Sequence, residues 1–166
     1  KVNDKIKVLP SGYESKVIEI RVGDELINEA IPEQSVTVSL SDEIDISRGD
    51  MLVHQNDSIN AVKGFSAMVC WFAEVPLSLS RTYLIMHTTR ISKVKITQIH
   101  HKINIQSLEM EKAETLKTND IAQLSFKLAQ PLIVDSYDEN RSTGAFIIID
   151  ESTYHTVGAG MIQSIA

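Results

Sequence analysis

The sequence NRSTGAFIIIDESTYHTVGAGMI, residues 140–162, decides the fold that this chain is expected to adopt. Its run from Phe146 to Ile149 is apolar, rich in β-branched residues and too short for a helix, which predicts a buried strand. The DEST sequence that follows has turn chemistry, and TVGAGMI then resumes an extended course. Gly158 and Gly160 in this second run predict a β-bulge, or a neighbouring backbone too close to admit a Cβ atom. The stretch therefore predicts two neighbouring strands, joined as a hairpin.

Most of the remaining sequence also alternates with the period of a β-strand. Residues 35–40 (SVTVSL) alternate most cleanly, and in residues 15–22 we expect Ile18, Ile20 and Val22 to lie on one face. Such short runs, separated by turns every eight to twelve residues or so, are typical of antiparallel barrels or sandwiches. The predicted fold class is therefore all-β.

Two units are predicted along the chain. Residues 55–64 (QNDSINAVKG) are polar and weakly periodic, which makes them the best candidate for a linker. We therefore divide the chain into two all-β units, residues 1–58 and 59–166. Residues 107–117 (SLEMEKAETLK) alone have a helix-forming composition, and we expect at most a helical turn or two there.

Composition excludes several classes of function. The chain has 16 basic and 22 acidic side chains and a net charge of −6, which argues against a nucleic-acid partner because such binding depends on Lys and Arg neutralising phosphates. Cys70 is the only cysteine, so we expect a reduced structural thiol. No apolar run is long enough to span a membrane, and no signal peptide is seen at the start. We expect a segment of a longer, cytoplasmic protein.

Three sequence matches point to a known family. The TVGAGMI run resembles the final strands of the elongation factor Tu group of GTPases. The longer NRSTGAFIIID…TVGAGMI, together with VLPSG at residues 8–12 and DEIDISRGDM at residues 42–51, resembles the large GTPase subunits of sulfate adenylyltransferases. The similarity covers essentially the whole chain. The motif residues for which we expect structural or interface roles are Arg48, Gly49, Asp50, Asn140, Arg141, Thr143, Gly144, Gly158 and Gly160.

This resemblance implies a fold and a function. The fold would be two antiparallel β-barrels of the translation-factor domain 2 and domain 3 type, the first of them truncated and able to self-associate through its open edge. In that family the large subunit hydrolyses GTP to drive the conversion of ATP and sulfate to adenosine 5′-phosphosulfate and pyrophosphate. The adenylyl-transfer site lies on a small (ATP sulfurylase) subunit. The barrels would dock that subunit and their own N-terminal GTPase domain, without catalysis of their own.

No catalytic, cofactor or metal site is predicted within these residues. The phosphate-binding G-x-x-x-x-G-K-[ST] sequence is absent, so GTP and Mg²⁺ would belong to the separate N-terminal domain. His100 and His101 are adjacent and would face opposite sides of a strand, and the other histidines are scattered. Asp135, Asp138 and Glu139 admit an acid–base pair, but solvated loop carboxylates are the favoured interpretation.

Several alternatives stay open at this point. Arg48 and Arg141 form either buried or interfacial carboxylate pairs, for which the guanidinium geometry is suited, or plain surface contacts. We interpret the RGD at residues 48–50 as a turn that leads into a strand. Trp71 is assigned to the core, with a partner-facing anchor as the alternative. The competing functions are an elongation-factor-type GTPase whose barrels bind aminoacyl-tRNA, and an independent β-barrel scaffold. An adenylylsulfate kinase domain follows the last barrel in some members of the family.

Overall fold

The computed structural model of the chain describes residues 1–59 and 61–165. Throughout these residues the regular structure is β-strand, and no helix is formed, which confirms the predicted all-β class. The chain divides into two compact units, Lys1–Ile59 and Asn60–Ala166. The division predicted from the polar linker lies between residues 58 and 59.

The first unit is a five-stranded antiparallel sheet. Its strands follow the order β3-β2-β1-β5, and β4 pairs with β2 as well. Four buried aliphatic side chains, Ile6, Val8, Val17 and Ile20, form the centre of its core. Within the part of this unit that the structure describes, the sheet does not close on itself. The strands are β1 (Lys5–Leu9), β2 (Glu14–Val22), β3 (Glu25–Ile27), β4 (Thr37–Leu40) and β5 (Met51–His54).

One face of β2 differs from the prediction. Ile18 was expected to share the inner face with Ile20, but its side chain is 53% exposed whereas Val17 and Ile20 are buried. The pairing of β2 with β4 shifts register between Val17 and Glu19. Because a bulge inserts one extra residue, it reverses the alternation on one side of the shift. The prediction for Ile18 was therefore wrong, and simple period-two counting has no means of locating the bulge.

The second unit is a closed antiparallel barrel. Its strands are hydrogen-bonded in the order β6-β12-β11-β7-β8-β10, and β10 pairs with β6 to complete the circle. Closure removes the exposed edges that an open sheet would present. A short strand, β9, is added to the end of β8. The strands are β6 (Val62–Trp71), β7 (Thr82–His87), β8 (Arg90–Ile103), β9 (Met110–Glu111), β10 (Ile121–Leu132), β11 (Ala145–Asp150) and β12 (Thr156–Ile165).

Aromatic side chains fill the barrel interior. The rings of Phe65, Phe126 and Phe146 form a mutual cluster with centroid separations of 5.1–5.3 Å. Trp71 is 1% exposed and packs edge-on against Tyr83, while its indole N–H donates to the Val75 carbonyl at 2.9 Å. The structure thus confirms the core assignment of Trp71, since both its ring and its polar atom are satisfied inside the unit.

Residues 107–117, for which at most a helical turn or two was expected, form no helix. The Asn104 side chain accepts hydrogen bonds from the backbone N–H groups of the next turn, and Met110–Glu111 then pairs with the end of β8. Further on, Leu116 is fully buried and its carbonyl accepts from the Leu77 N–H at 2.9 Å. These long-range contacts override a local propensity whose apolar face was too thin to bury.

Candidate functional site

The loop between β10 and β11 holds most of the motif residues predicted from the sequence. The Asn140 side-chain oxygen accepts from the Ser142 N–H at 3.0 Å, and its backbone oxygen accepts from the Gly144 N–H at 2.7 Å. The Asn140 N–H in turn donates to the Ser136 carbonyl at 3.0 Å. An asparagine that bonds its own turn in this way fixes a compact loop. Asn140 therefore has a structural role in this site.

Gly144 sits where a side chain has no space. A Cβ atom there would lie 2.4 Å from the Cα of Tyr137 and 2.7 Å from the Asn140 carbonyl oxygen. Both neighbours are backbone atoms, which cannot rotate away. The Gly144 carbonyl also accepts from the Ile162 N–H at 2.8 Å, so the loop is fastened to β12. The glycine is needed for this close approach of the loop to its own backbone.

Thr143 connects the loop to the end of β7. Its hydroxyl donates a short hydrogen bond to the Asp135 carboxylate. Its carbonyl oxygen lies 2.7 Å from Nε2 of His87, a side chain that is only 1% exposed. The buried His87 and the half-buried Asp135 carboxylate thus both find a hydrogen-bond partner in Thr143. Asp138 and Glu139, in the same β10–β11 loop, are exposed.

Gly158 and Gly160 lie in β12 and face the interior. A Cβ on Gly158 would meet the Cys70 carbonyl oxygen at 3.1 Å, and one on Gly160 would meet the Phe146 ring at 2.4 Å. The β11–β12 pairing also shifts register between Ile148 and Ile149. The structure therefore contains both a bulge and a close backbone neighbour, and at Gly160 the space is taken by an aromatic ring.

The outer surface of this part of the barrel is apolar. Cross-strand register aligns Met68 with Met161, and a second row runs through Cys70, Ala159, Ile147 and Met86. Together they line an open groove of about 610 Å³. We call these six residues the methionine face. Burial raises the pKa of the Cys70 thiol, with a smaller contribution from the Asp120 carboxylate, so the thiol is neutral and unreactive at neutral pH.

Sequence reasoning missed the methionine face as a surface. The signal for it was present in β6, where Met68, Val69 and Cys70 are consecutive and apolar, so both faces of that strand carry apolar side chains. One of those faces fills the barrel, and the other points outward. Flexible, polarisable methionines are common at protein-binding surfaces. Contiguous apolar patches are likewise common at protein interaction sites.

An ion pair between the buried Asp150 carboxylate and the partly exposed Arg81 stabilises the β11–β12 turn. The Asp150 carboxylate accepts from the backbone N–H groups of Ser152 and Thr153 at 2.9 and 3.0 Å and lies 2.8 Å from the Arg81 guanidinium. Burial alone would raise the pKa of this carboxyl group, but the two N–H donors and the Arg81 charge outweigh it and hold the pKa below its usual value. The turn chemistry expected of DEST is thus centred on Asp150, and Arg81 was not predicted.

The motif residues Arg48, Gly49 and Asp50 lie in a turn of the first unit. The Ser47 N–H donates to the Asp50 carboxylate at 2.9 Å, and Gly49 has a φ of 99°, a left-handed conformation that favours glycine. β5 begins at the next residue, Met51, as the turn interpretation of this sequence expected. Arg48 is exposed and forms no salt bridge among the described residues.

Arg141 in the second unit is exposed as well, with its guanidinium 5.9 Å from the Tyr137 ring centre.

Metal-ligand clusters and phosphate loops are two features that bear on metal or nucleotide binding among the described residues. No cluster of three or more His, Cys, Asp or Glu side chains is found among them. Gly158 and Gly160 lie within a strand and precede no helix, so they cannot act as a phosphate loop. In the same residues no helix is long and apolar enough to cross a membrane.

Comparison with known sequences gives a consistent family. Residues 64–163 match the family described as "GTP-eEF1A C-terminal domain-like". The chain is 43% identical to sulfate adenylyltransferase subunit 1 of Shewanella woodyi, over 99% of its length but only 35% of that relative. The corresponding protein of Saccharophagus degradans is 41% identical, with 98% and 34% covered, and that of Bacteroides fragilis is 40% identical, with 96% and 33% covered. The chain thus spans about a third of these relatives.

Solved structures show the same fold. Sup35 complexed with GDP superposes with a TM-score of 0.89 at 18% identity, covering all of this chain and 41% of Sup35. The complex of Sup35 with GMPPNP gives a TM-score of 0.87. These likenesses confirm the translation-factor type of all-β fold, and the sequence relatives confirm the resemblance found from the motifs. The chain therefore belongs to the GTP-eEF1A C-terminal domain-like family, and over its whole length it is similar to sulfate adenylyltransferase subunit 1.

Proposed function

We propose that this chain forms the barrel portion of the large, GTP-hydrolysing subunit of a sulfate adenylyltransferase, and that it works there as a non-catalytic docking module. The identities of 39–43% over nearly the whole chain to proteins named as subunit 1 of that enzyme support this assignment. The complete enzyme would convert ATP and sulfate to adenosine 5′-phosphosulfate and pyrophosphate, with GTP hydrolysis as the driving reaction.

GTP and Mg²⁺ would be held by a part of the polypeptide outside these residues. The present residues do not fit a nucleotide, because they offer neither a phosphate loop nor a cluster of metal ligands. The adenylyl-transfer chemistry would take place on a separate small subunit. The two units described here would then be carried as rigid bodies when the GTPase part changes conformation.

The observation that carries the docking role is the methionine face. The barrel interior is already filled by its own aromatic cluster, so the outward-facing Met68, Met86 and Met161 gain nothing from the core of this unit. Met161, one member of this face, is 43% exposed. Water contact with such a surface is unfavourable, and covering it by another protein surface recovers that free energy. A docking module needs a surface of this kind, whereas a free-standing barrel does not.

Co-purification of the full-length large subunit with the small subunit tests this proposal. Met161→Glu places a charge on the methionine face and should abolish retention of the small subunit, or uncouple GTP hydrolysis from adenylyl transfer. Met110→Glu is the matched control, because Met110 is 73% exposed on β9 and does not line the methionine face. If the unsubstituted large subunit fails to bind the small subunit, the proposed function is wrong.

Binding measurements on the same full-length protein also distinguish the proposed function from the translational one. Barrels of an elongation-factor-type GTPase would bind aminoacyl-tRNA with an affinity that falls steeply as salt concentration rises. The net charge of −6 disfavours this. Salt-dependent tRNA binding by the full-length protein, without small-subunit binding, would replace the proposed function with the translational one.

A further inference from the structure

Two lysines face each other across the outer surface of the second barrel. Lys95 on β8 lies directly opposite Lys127 on β10. Both side chains are exposed, and neither forms a salt bridge in the part of the chain that the structure describes. Like charges directly opposite each other on an antiparallel pair repel and destabilise the sheet. The pair therefore costs stability in the isolated unit.

The neighbouring positions offer no relief for this repulsion. Across the adjoining strands, Lys127 faces Gly64 and Lys95 faces Thr82. Lys93, two residues from Lys95 and on the same face, already forms a salt bridge with Glu151, which raises the pKa of Lys93. The Glu151 carboxylate is thus already engaged by Lys93. The positive charge at Lys95 and Lys127 remains uncompensated in a chain whose net charge is −6.

A similar pair in the first unit shows the contrast. Lys5 lies directly opposite Lys16 in the β1–β2 pairing. Two positions along the same ladder, however, Lys7 lies opposite Glu14, and Glu14 is on the same face of β2 as Lys16. An acidic side chain is therefore built in beside that pair. The barrel pair has no such acid within its ladder.

The two barrel lysines border an open groove of about 380 Å³, lined by Thr82, Lys93, Lys95, Lys127, Leu128 and Ala129. We call it the lysine groove. We propose that the lysine groove is a second docking surface, distinct from the methionine face, and that it receives a carboxylate-rich segment of the small subunit. This inference rests on the proposed function, because it names how the same partner is recognised.

The number of charges in the groove favours carboxylates of a protein over a nucleic acid. A lysine ammonium is a point charge that binds carboxylates and phosphates alike, so the count of cations decides between these partners. The two uncompensated charges of the groove would neutralise too few phosphates to hold a nucleic acid at physiological salt. The aliphatic stems of the lysines and the methyl group of Ala129 give a mixed surface that suits the rim of a protein interface.

A single charge reversal gives opposite effects on stability and on docking. Lys127→Glu replaces the Lys–Lys repulsion with an attraction to Lys95, so the barrel should unfold at a higher denaturant concentration. The same substitution removes one cation from the groove and adds a charge that repels an acidic partner, so the full-length subunit should bind the small subunit on the order of tenfold more weakly. A residue with a structural role alone would not weaken binding while raising stability.

The experiment uses the full-length large subunit and the purified small subunit, titrated at several salt concentrations. The matched control is Lys16→Glu, which reverses one charge of the first-unit pair and should leave affinity unchanged. The expected result is a weaker affinity for Lys127→Glu and a shallower salt dependence than that of the unsubstituted protein. Unchanged affinity for Lys127→Glu, beside normal binding by the unsubstituted protein, overturns the inference but leaves the proposed function standing. Loss of tRNA binding instead of small-subunit binding overturns it in favour of a nucleic-acid surface.

Discussion

Gly144→Ala tests whether the β10–β11 loop depends on backbone contact. The added Cβ would lie 2.4 Å from the Tyr137 Cα, 2.6 Å from the Tyr137 nitrogen and 2.7 Å from the Asn140 oxygen. None of these atoms is the far end of a flexible side chain, so the loop itself has to move. Movement would strain the hydrogen bond from the Ile162 N–H to the Gly144 carbonyl, now 2.8 Å long.

The free-energy cost follows from these two effects. Forcing one extra carbon into a packed site costs about 1–3 kcal/mol, and weakening one buried hydrogen bond adds about 1 kcal/mol. We therefore expect Gly144→Ala to lower the free energy of unfolding by about 2–4 kcal/mol. Gly158→Ala is the graded comparison, because its Cβ would sit 3.1 Å from a single carbonyl oxygen and needs a shift of only a few tenths of an ångström. Its cost should be about 1 kcal/mol or less.

Trp71 supplies the assay. It is the only tryptophan in the chain and is buried inside the second unit, so its fluorescence reports the unfolding of that unit alone. With a urea m-value of about 2 kcal/mol per molar, Gly144→Ala should move the midpoint down by about 1–2 M. A midpoint equal to that of the unsubstituted chain, or a larger loss for Gly158→Ala than for Gly144→Ala, would refute the steric argument.

Two further predictions concern the turn acid and the open sheet. Asp150→Asn should lower stability at pH 7 by about 1.5 kcal/mol through the lost charge-assisted contact with Arg81. Because the folded pKa of Asp150 lies below the ordinary 3.8, its contribution is present above that value and lost as the pH falls through the folded pKa, so variant and unsubstituted chain should converge in acid. The 166-residue chain should self-associate through the first unit, and Leu52→Lys on β5 should weaken this. Sedimentation that shows only monomer at high concentration would contradict the second prediction.

The sequence predicted the parts of the fold that depend on local pattern. Alternation of apolar residues located most strands, and the β11–β12 hairpin follows from an apolar run, a turn and a second extended run. The bulge in β2 was not predictable, because an extra residue leaves the composition of the strand unchanged while turning Ile18 outward. The helix-forming composition of residues 107–117 did not produce a helix, for a related reason. Pairing of β9 with β8 and burial of Leu116 are long-range contacts that no local window contains.

The sequence predicted individual residues of the candidate site but not the surface that several strands form together. Asn140, Thr143 and Gly144, which the motif singled out, lie together in the β10–β11 loop, where Asn140 forms a turn and Gly144 has no space for a side chain. The methionine face combines residues from four strands, whose alignment depends on barrel register. Arg81 reaches Asp150 from a different strand connection, so no spacing in the sequence relates the two. Register is the information that the fold adds.

The side chains of the β11–β12 hairpin face two different surfaces of the barrel. Phe146 and Ile148 point inward, where the ring of Phe146 fills the space that Gly160 leaves open. Ile147 and Met161 point outward onto the methionine face. Since successive residues of a strand face opposite sides, the inner positions determine stability and, under the proposed docking role, the outer positions determine binding. Inward substitutions should therefore change the urea midpoint and leave docking by the folded protein intact, and outward ones should do the reverse. A substitution of Ile147 that lowers stability as much as one of Ile148 would show that the outer face is part of the barrel's own core.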